Sequence, residues 1–191
     1  MLILRAAAIL SILFYLSSPL RAGELRKADV LRVIDGDSIR IMLNGKKEHL
    51  RLIGVDTAEI RANNKAIGIA AMRHQSLEDF IYEGKVAKSF VKNLVKPGDS
   101  VSIELGKQER DIYGRMLGYL FLSNGKMLNE EILKAGLGQI FLISPNLKYA
   151  ERLIKSYREN RISRGEESPK ARVAPSNVGA GSPPFVPRGA Y

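Results

Sequence analysis

The 191-residue sequence predicts a small closed β-sheet of five strands accompanied by helices. Three observations lead there. Short apolar segments are separated by turn signals, two Asn-Gly pairs mark hairpins at Asn44-Gly45 and Asn124-Gly125, and helical periodicity interrupts or follows the strands instead of alternating with them regularly.

Taken in order, Val30 to Ile34 is an apolar-rich strand that ends at Asp35-Gly36-Asp37-Ser38. In the second strand Ile39, Ile41 and Leu43 alternate with Arg40 and Met42, and Asn44-Gly45 supplies a type I′ turn into a return strand from Lys46 to Val55. The pattern becomes helical from Ala66 to Leu94, clearest at Val86, Ala87, Phe90, Val91 and Leu94, and stops at Pro97-Gly98. Val101 to Leu105 and Met116 to Leu122 read as the last two strands. Asn129 is expected to cap a short helix through Ala135, closed by Gly136, and a final amphipathic helix is expected from about Leu147 to Arg158.

Both ends differ from this body. Arg5 followed by the apolar run Ala6 to Leu16 and the break Ser17-Ser18-Pro19 reads as an export signal over residues 1–22, cleaved after Ala22. The run is short of the roughly 20 residues that span a bilayer, which makes a retained membrane anchor the second reading. Five of the eight prolines fall between Pro169 and Tyr191, and a disordered tail is expected over 169–191. The folded domain is thus expected over 25–165, in a secreted or periplasmic protein, with a monomer as the expected state and no stable membrane partner after cleavage.

The absence of cysteine excludes disulfides, thiolate-bound metals and thiol nucleophiles, and with only His49 and His74 a multi-histidine centre is excluded as well. The formal net charge of +10 points to an anionic partner, nucleic acid first and an anionic membrane surface second.

Chemistry concentrates in two places. With Asn44-Gly45 as the two-residue loop, Leu43 faces Lys46, Ser38 faces Arg51 and Asp37 faces Leu52. Arg51 then projects on the opposite face from Leu50 and Leu52, and one patch gathers Asp35, Asp37, Arg51, Asp56 and Glu59. Singly these residues read as a turn, a loop start and half of a surface ion pair. Together, carboxylates gathered around one arginine suit a hard divalent cation, Ca²⁺ or Mg²⁺, because no imidazole or thiolate accompanies them. The second place is Glu109-Arg110-Asp111-Ile112-Tyr113-Gly114-Arg115, which reads either as a charged turn or as a phosphate-binding arginine, Arg115, beside an aromatic ring, Tyr113.

Three blocks, Arg32 to Ser38, Leu50 to Glu59 and Asp111 to Arg115, resemble the staphylococcal nuclease (thermonuclease) family, in the same order and with comparable separations. The resemblance covers roughly residues 27–160. It implies an α+β fold, a five-stranded OB-type β-barrel with three helices, and a calcium-dependent nuclease cleaving DNA and also RNA to leave 3′-phosphate ends. By position it implies Arg51, Glu59 and Arg115 as catalytic residues and Asp37, Asp56 and the Thr57 carbonyl as Ca²⁺ ligands. Asp35 is implied as an acidic neighbour of the metal, and Tyr113 as a phosphate contact. The sequence departs from the family pattern at Ser38, Ala58 and Ile112, and lacks tyrosines in Phe141 to Ser144; Glu59 to Phe80 is longer than the loop it replaces. Two other readings remain: a non-catalytic OB-type nucleic-acid-binding module, and a membrane-anchored interaction protein.

Overall fold

The computed structural model describes residues 23–166 and 173–174. Five strands close into a barrel: β1 (Leu25–Asp35), β2 (Ser38–Leu43), β3 (Lys46–Leu52), β5 (Ser100–Arg110) and β6 (Met116–Phe121), in the order β1-β2-β3-β6-β5, with β1 also paired to β5. All neighbours run antiparallel except β3 and β6, which are parallel. This is the mixed closed barrel expected of an OB-type fold.

The β2–β3 register follows from the turn. Leu43 pairs with Lys46 and Ser38 with Arg51, and the Leu52 N–H donates to the Asp37 carbonyl at 2.9 Å. Asn44 and Gly45 both adopt positive φ, 51° and 74°, as a type I′ turn requires. Alternation sets the two faces: Ile39, Ile41, Leu43, Leu50 and Leu52 are buried with Val30, Val33, Val101, Ile103 and Leu120 in one core.

The expected return strand from Lys46 to Val55 is interrupted. Gly54 takes φ 82°, and a Cβ there would lie 2.3 Å from Leu153, so the chain turns out of the barrel. The short strand β4 (Gly54–Asp56) then pairs with β7 (Gln139–Ile143), which the sequence pattern did not reveal.

Among the described residues four helices, not the three expected, accompany the barrel: α1 (Asn64–Met72), α2 (Leu77–Leu94), α3 (Leu128–Lys134) and α4 (Ala150–Ser163). The helical pattern expected from Ala66 to Leu94 divides because His74 has φ 50° and the Ser76 side chain accepts from the Asp79 N–H to begin a new helix. The buried stripe of α2 is Phe80, Gly84, Ala87 and Val91, whereas Val86 is exposed. Asn129 does not cap α3, whose N-cap is Met127; instead it is fully buried, accepting from the Leu120 N–H at 3.1 Å and donating to the Ile53 carbonyl at 2.8 Å. It thereby ties α3 to the C-terminal ends of β3 and β6.

The expected signal over residues 1–22 lies outside the described residues, as does the expected disordered tail over 169–191 except for β8 (Val173–Ala174), which lies parallel to β7. Among the described residues, no helix is long and apolar enough to cross a membrane.

Candidate active site

The site opens beside the β1–β2 turn and the end of β3. Its centre is Arg51, an ionised side chain only 7 % exposed, held between two buried carboxylates. Nη1 pairs with Asp37 Oδ1, and Nη2 donates to Asp56 Oδ1 at 2.6 Å. A guanidinium buried at such a place is tolerable only with its charge matched on the spot.

Each carboxylate is fixed in turn. Asp37 Oδ2 accepts from the Thr57 N–H at 2.8 Å and the Thr57 hydroxyl at 3.2 Å, while the Ser38 hydroxyl donates to Oδ1 at 3.1 Å. Asp35 Oδ1 accepts from the Asp37 N–H at 3.3 Å, closing the turn. Burial pushes the Asp56 carboxyl up, but Arg51 and Lys65 together outweigh it and hold the group below the ordinary carboxylate range.

Glu59 lies half-buried, and both its oxygens are gripped by the start of α1: Lys65 Nζ stands 2.9 Å from Oε1 and Asn63 Nδ2 donates to Oε2 at 3.3 Å. Asn63 also caps that helix, accepting from the Ala66 N–H at 2.8 Å. Lys65 sits in the first turn, where the helix dipole disfavours a cation. Its ion pairs with Glu59 and Asp56, the latter at 3.2 Å, offset that cost. The lengthened segment after Glu59 is therefore a short helix whose first turn anchors two site carboxylates.

Arg115 reaches the same cleft from the β5–β6 loop. Asp111 orients it: Oδ2 accepts from Arg115 Nε at 2.7 Å, and Oδ1 accepts from the backbone N–H groups of Tyr113 and Arg115, both at 2.9 Å. The Tyr113 ring lies under the guanidinium, 5.5 Å from centroid to Cζ, and is exposed.

Asp35, Asp37, Arg51, Glu59, Tyr113 and Arg115 thus line one cleft of about 340 Å³. Asp56 and Thr57 lie behind it, reaching it through Arg51 and Asp37 respectively. The sequence reading missed Lys65, Asn63 and Asp111. Asp111 opens an Asp-x-x-Gly turn, a signal that could have marked it as an anchor; nothing local marks Lys65.

The donor set is oxygen only, which suits a hard cation over zinc or copper. Asp37 and Asp56 converge closely enough to share one guanidinium, and both cationic partners of Asp56 bind Oδ1, leaving Oδ2 as its oxygen for a further cation. The two carboxylates and the Thr57 carbonyl are chemically compatible with Ca²⁺, in a charge field already partly balanced by protein cations. Among the described residues, no group of three or more carboxylate or imidazole side chains gathers as a metal cluster.

A closed five-stranded barrel with paired arginines and carboxylates in an open cleft defines a class of OB-type protein equipped to meet phosphate. The family model for staphylococcal nuclease homologues matches residues 49–165, and the chain belongs to the staphylococcal nuclease family. It is 35% identical over 164 residues to a thermonuclease of Staphylococcus hyicus, covering 83% of this chain and 88% of that protein. It is 36% identical over 120 residues to a thermonuclease of Staphylococcus intermedius, covering 63% of this chain and 62% of the relative. Endonuclease YncB of Bacillus subtilis is 34% identical over 122 residues, with 63% of this chain and 51% of that protein covered.

Proposed function

We propose that this nuclease of the staphylococcal nuclease family is a calcium-dependent endonuclease that hydrolyses phosphodiester bonds of DNA, takes RNA as a second substrate class, and leaves 3′-phosphate ends. The observation that carries the proposal is the single cleft holding Arg51, Glu59 and Arg115, with Arg51 locked by Asp37 and Asp56.

The chemistry follows from charge. A phosphodiester repels nucleophiles through its own negative charge, and attack adds charge at a five-coordinate phosphorus. Arg51 is buried and prepositioned, so its free N–H edge meets that charge without reorganisation. Arg115, oriented by Asp111, stabilises the 5′ oxygen as it leaves. Glu59 orients the attacking water and accepts its proton through whichever oxygen Lys65 or Asn63 releases. Tyr113 contacts a phosphate or stacks on a base at the exposed rim. Asp37, Asp56 and the Thr57 carbonyl would hold Ca²⁺, which when bound supplies Lewis-acid polarisation of a phosphoryl oxygen.

Plasmid degradation with Ca²⁺, with Mg²⁺ and with chelator tests the reading. Cleavage with Ca²⁺ alone supports it; binding without cleavage under any metal would favour the non-catalytic module. The proposal extends to export. The charge, apolar run and break within residues 1–22 support a mature protein acting outside the cytoplasm, and amino-terminal sequencing of exported protein should begin near Gly23.

A further inference from the structure

A second cleft of about 350 Å³ adjoins the candidate active site, and the two share Asp35, Glu59 and Asn63 as a common wall. Its far side is formed by Arg32 from β1, Arg61 from the loop after Glu59, and Lys88 from α2. Arg32 and Arg61 are exposed and Lys88 is half-buried. No ion pair engages any of the three among the described residues.

The contrast with another cleft shows why this matters. Behind Asp56, a cavity of about 300 Å³ also carries three arginines, but there Glu83 pairs with Arg73, and Glu166 pairs with both Arg161 and Arg164. That cavity is electrically balanced. In the cleft beside the site, the two carboxylates sit on the shared wall, where Lys65 already engages Glu59 and the Asp37 N–H donates to Asp35. Three cations thus face one carboxylate, Asp35, that no ion pair engages, and the cleft keeps an excess of positive charge. Burial, and then the fields of Lys92, Arg61 and Arg32 acting against that of Asp35, depress the Lys88 ammonium below its ordinary range. Gathering cations with too few counterions costs free energy in the isolated protein, and an anionic ligand recovers it.

We propose that Arg32, Arg61 and Lys88 form an accessory phosphate subsite that holds the backbone of the single polynucleotide strand running out of the active site across the Asp35–Glu59–Asn63 wall. The subsite deepens the nuclease reading and rests on it. Its ligand carries a phosphate on every nucleotide, so engagement of one phosphate at Arg51 and Arg115 delivers the next ones to the neighbouring cleft.

The test measures binding and cleavage separately. Fluorescence anisotropy with a labelled oligothymidylate of about 12 nucleotides, within OB-fold site sizes, is read in chelator across a range of salt. For the triple variant Arg32→Ala/Arg61→Ala/Lys88→Ala, affinity should fall at least about tenfold and the slope of log K against log salt should flatten by about 2, at roughly 0.7 per charge removed on a single strand. Arg61→Ala alone, a change at an exposed loop position, should show about a third of that slope change. With Ca²⁺, cleavage of the oligomer should show a raised KM in the triple variant, while a dinucleoside monophosphate, too short to reach the subsite, should be cut as by the parent. Unchanged affinity and slope in both variants would overturn the subsite. So would a variant whose only loss is binding to vesicles of mixed phosphatidylserine and phosphatidylcholine, which would assign the patch to a lipid surface. Failure of the parent to cut either substrate would sink the nuclease reading, whereas the salt slopes still decide whether the patch grips a strand.

Discussion

Glu59 lies against α2 because Gly84 has no side chain: a Cβ on Gly84 would stand 2.4 Å from the Glu59 carbonyl oxygen and 2.5 Å from that of Ala58. The obstruction is backbone, which cannot swing aside like the tip of a long side chain. Gly84 is therefore the residue through which the helix sets the depth of the candidate base. Gly84→Ala should cost about 1–3 kcal/mol through overpacking. It should also lower kcat by about tenfold or more, because displacement of a catalytic group by about 1 Å has that scale of effect. Melting curves and DNA cleavage rates measured on the same preparation check both. A destabilised variant with parental kcat would show that Glu59 does not depend on this contact.

Glu59→Gln and Arg115→Ala should each reduce turnover on DNA by at least about 10²-fold with circular dichroism unchanged, the scale lost when a transition-state donor or base is removed. Asp111 gives this prediction a finer edge. Asp111→Asn keeps an oxygen for the Tyr113 and Arg115 N–H groups but removes the charge that orients the Arg115 guanidinium. It should lower kcat more than it raises KM, and less than Arg115→Ala does. Asp111→Glu should recover part of the loss. Near-parental turnover in Glu59→Gln or Arg115→Ala would remove that residue from the mechanism.

Much of this site was legible because short-range rules fix it. The Asn44-Gly45 turn sets the register, the register sets Arg51 opposite Ser38, and strand alternation sets which way Arg51 points. What was not legible depends on contacts distant in sequence. The Lys65 ammonium has meaning only once α1 docks against Asp56 and Glu59, and the helical periodicity across 66–94 conceals the break at His74. Asn129 carries the same lesson. Its type and position match an N-cap, yet the barrel's unpaired backbone at Leu120 and Ile53 claims the side chain. β7 was hidden because its partner β4 exists only after Gly54 turns the chain out of the barrel.

The α3–α4 junction predicts an acid response distinct from the site. Glu130 is buried against α4, where Arg152 Nε donates to Oε2 at 3.0 Å, the Ser156 hydroxyl donates to Oε1 at 2.9 Å, and Lys134 pairs with Oε1 at 3.1 Å. Burial raises its pKa, but these partners together bring it down from 4.5 to about 2. A carboxyl with a depressed folded-state pKa stabilises the fold above its unfolded value and loses that contribution as pH falls through the folded value. Stability from this group should therefore be complete above about pH 4.5 and decline toward pH 2. Glu130→Gln should melt lower than the parent at pH 7, and the gap should narrow across that window. A gap independent of pH would mean that the loss is packing and not charge.

The metal prediction separates the proposed enzyme from a binding module with the same barrel. Asp37 and Asp56 are buried carboxylates brought together by one guanidinium, and any cation they bind must share them with Arg51 and Lys65. A cation bound to the folded state alone raises stability by mass action, by about 2.7 kcal/mol at a hundredfold excess over Kd. Ca²⁺ should therefore raise the melting temperature of the parent and switch on cleavage over the same concentration range. Asp37→Asn is the informative variant, since its side-chain oxygen still accepts from the Thr57 N–H while the charge is gone. Its melting temperature without metal will fall, because Arg51 loses one of its two partners in a buried setting. The measurement is thus the difference made by Ca²⁺ within each protein, and it should vanish in the variant along with cleavage. Salt-sensitive DNA binding should persist, because Arg32, Arg61 and Lys88 are untouched. A parent whose melting temperature ignores Ca²⁺, or one that cleaves DNA equally well in chelator, would remove calcium from the mechanism and leave the arginines and Glu59 to account for hydrolysis alone.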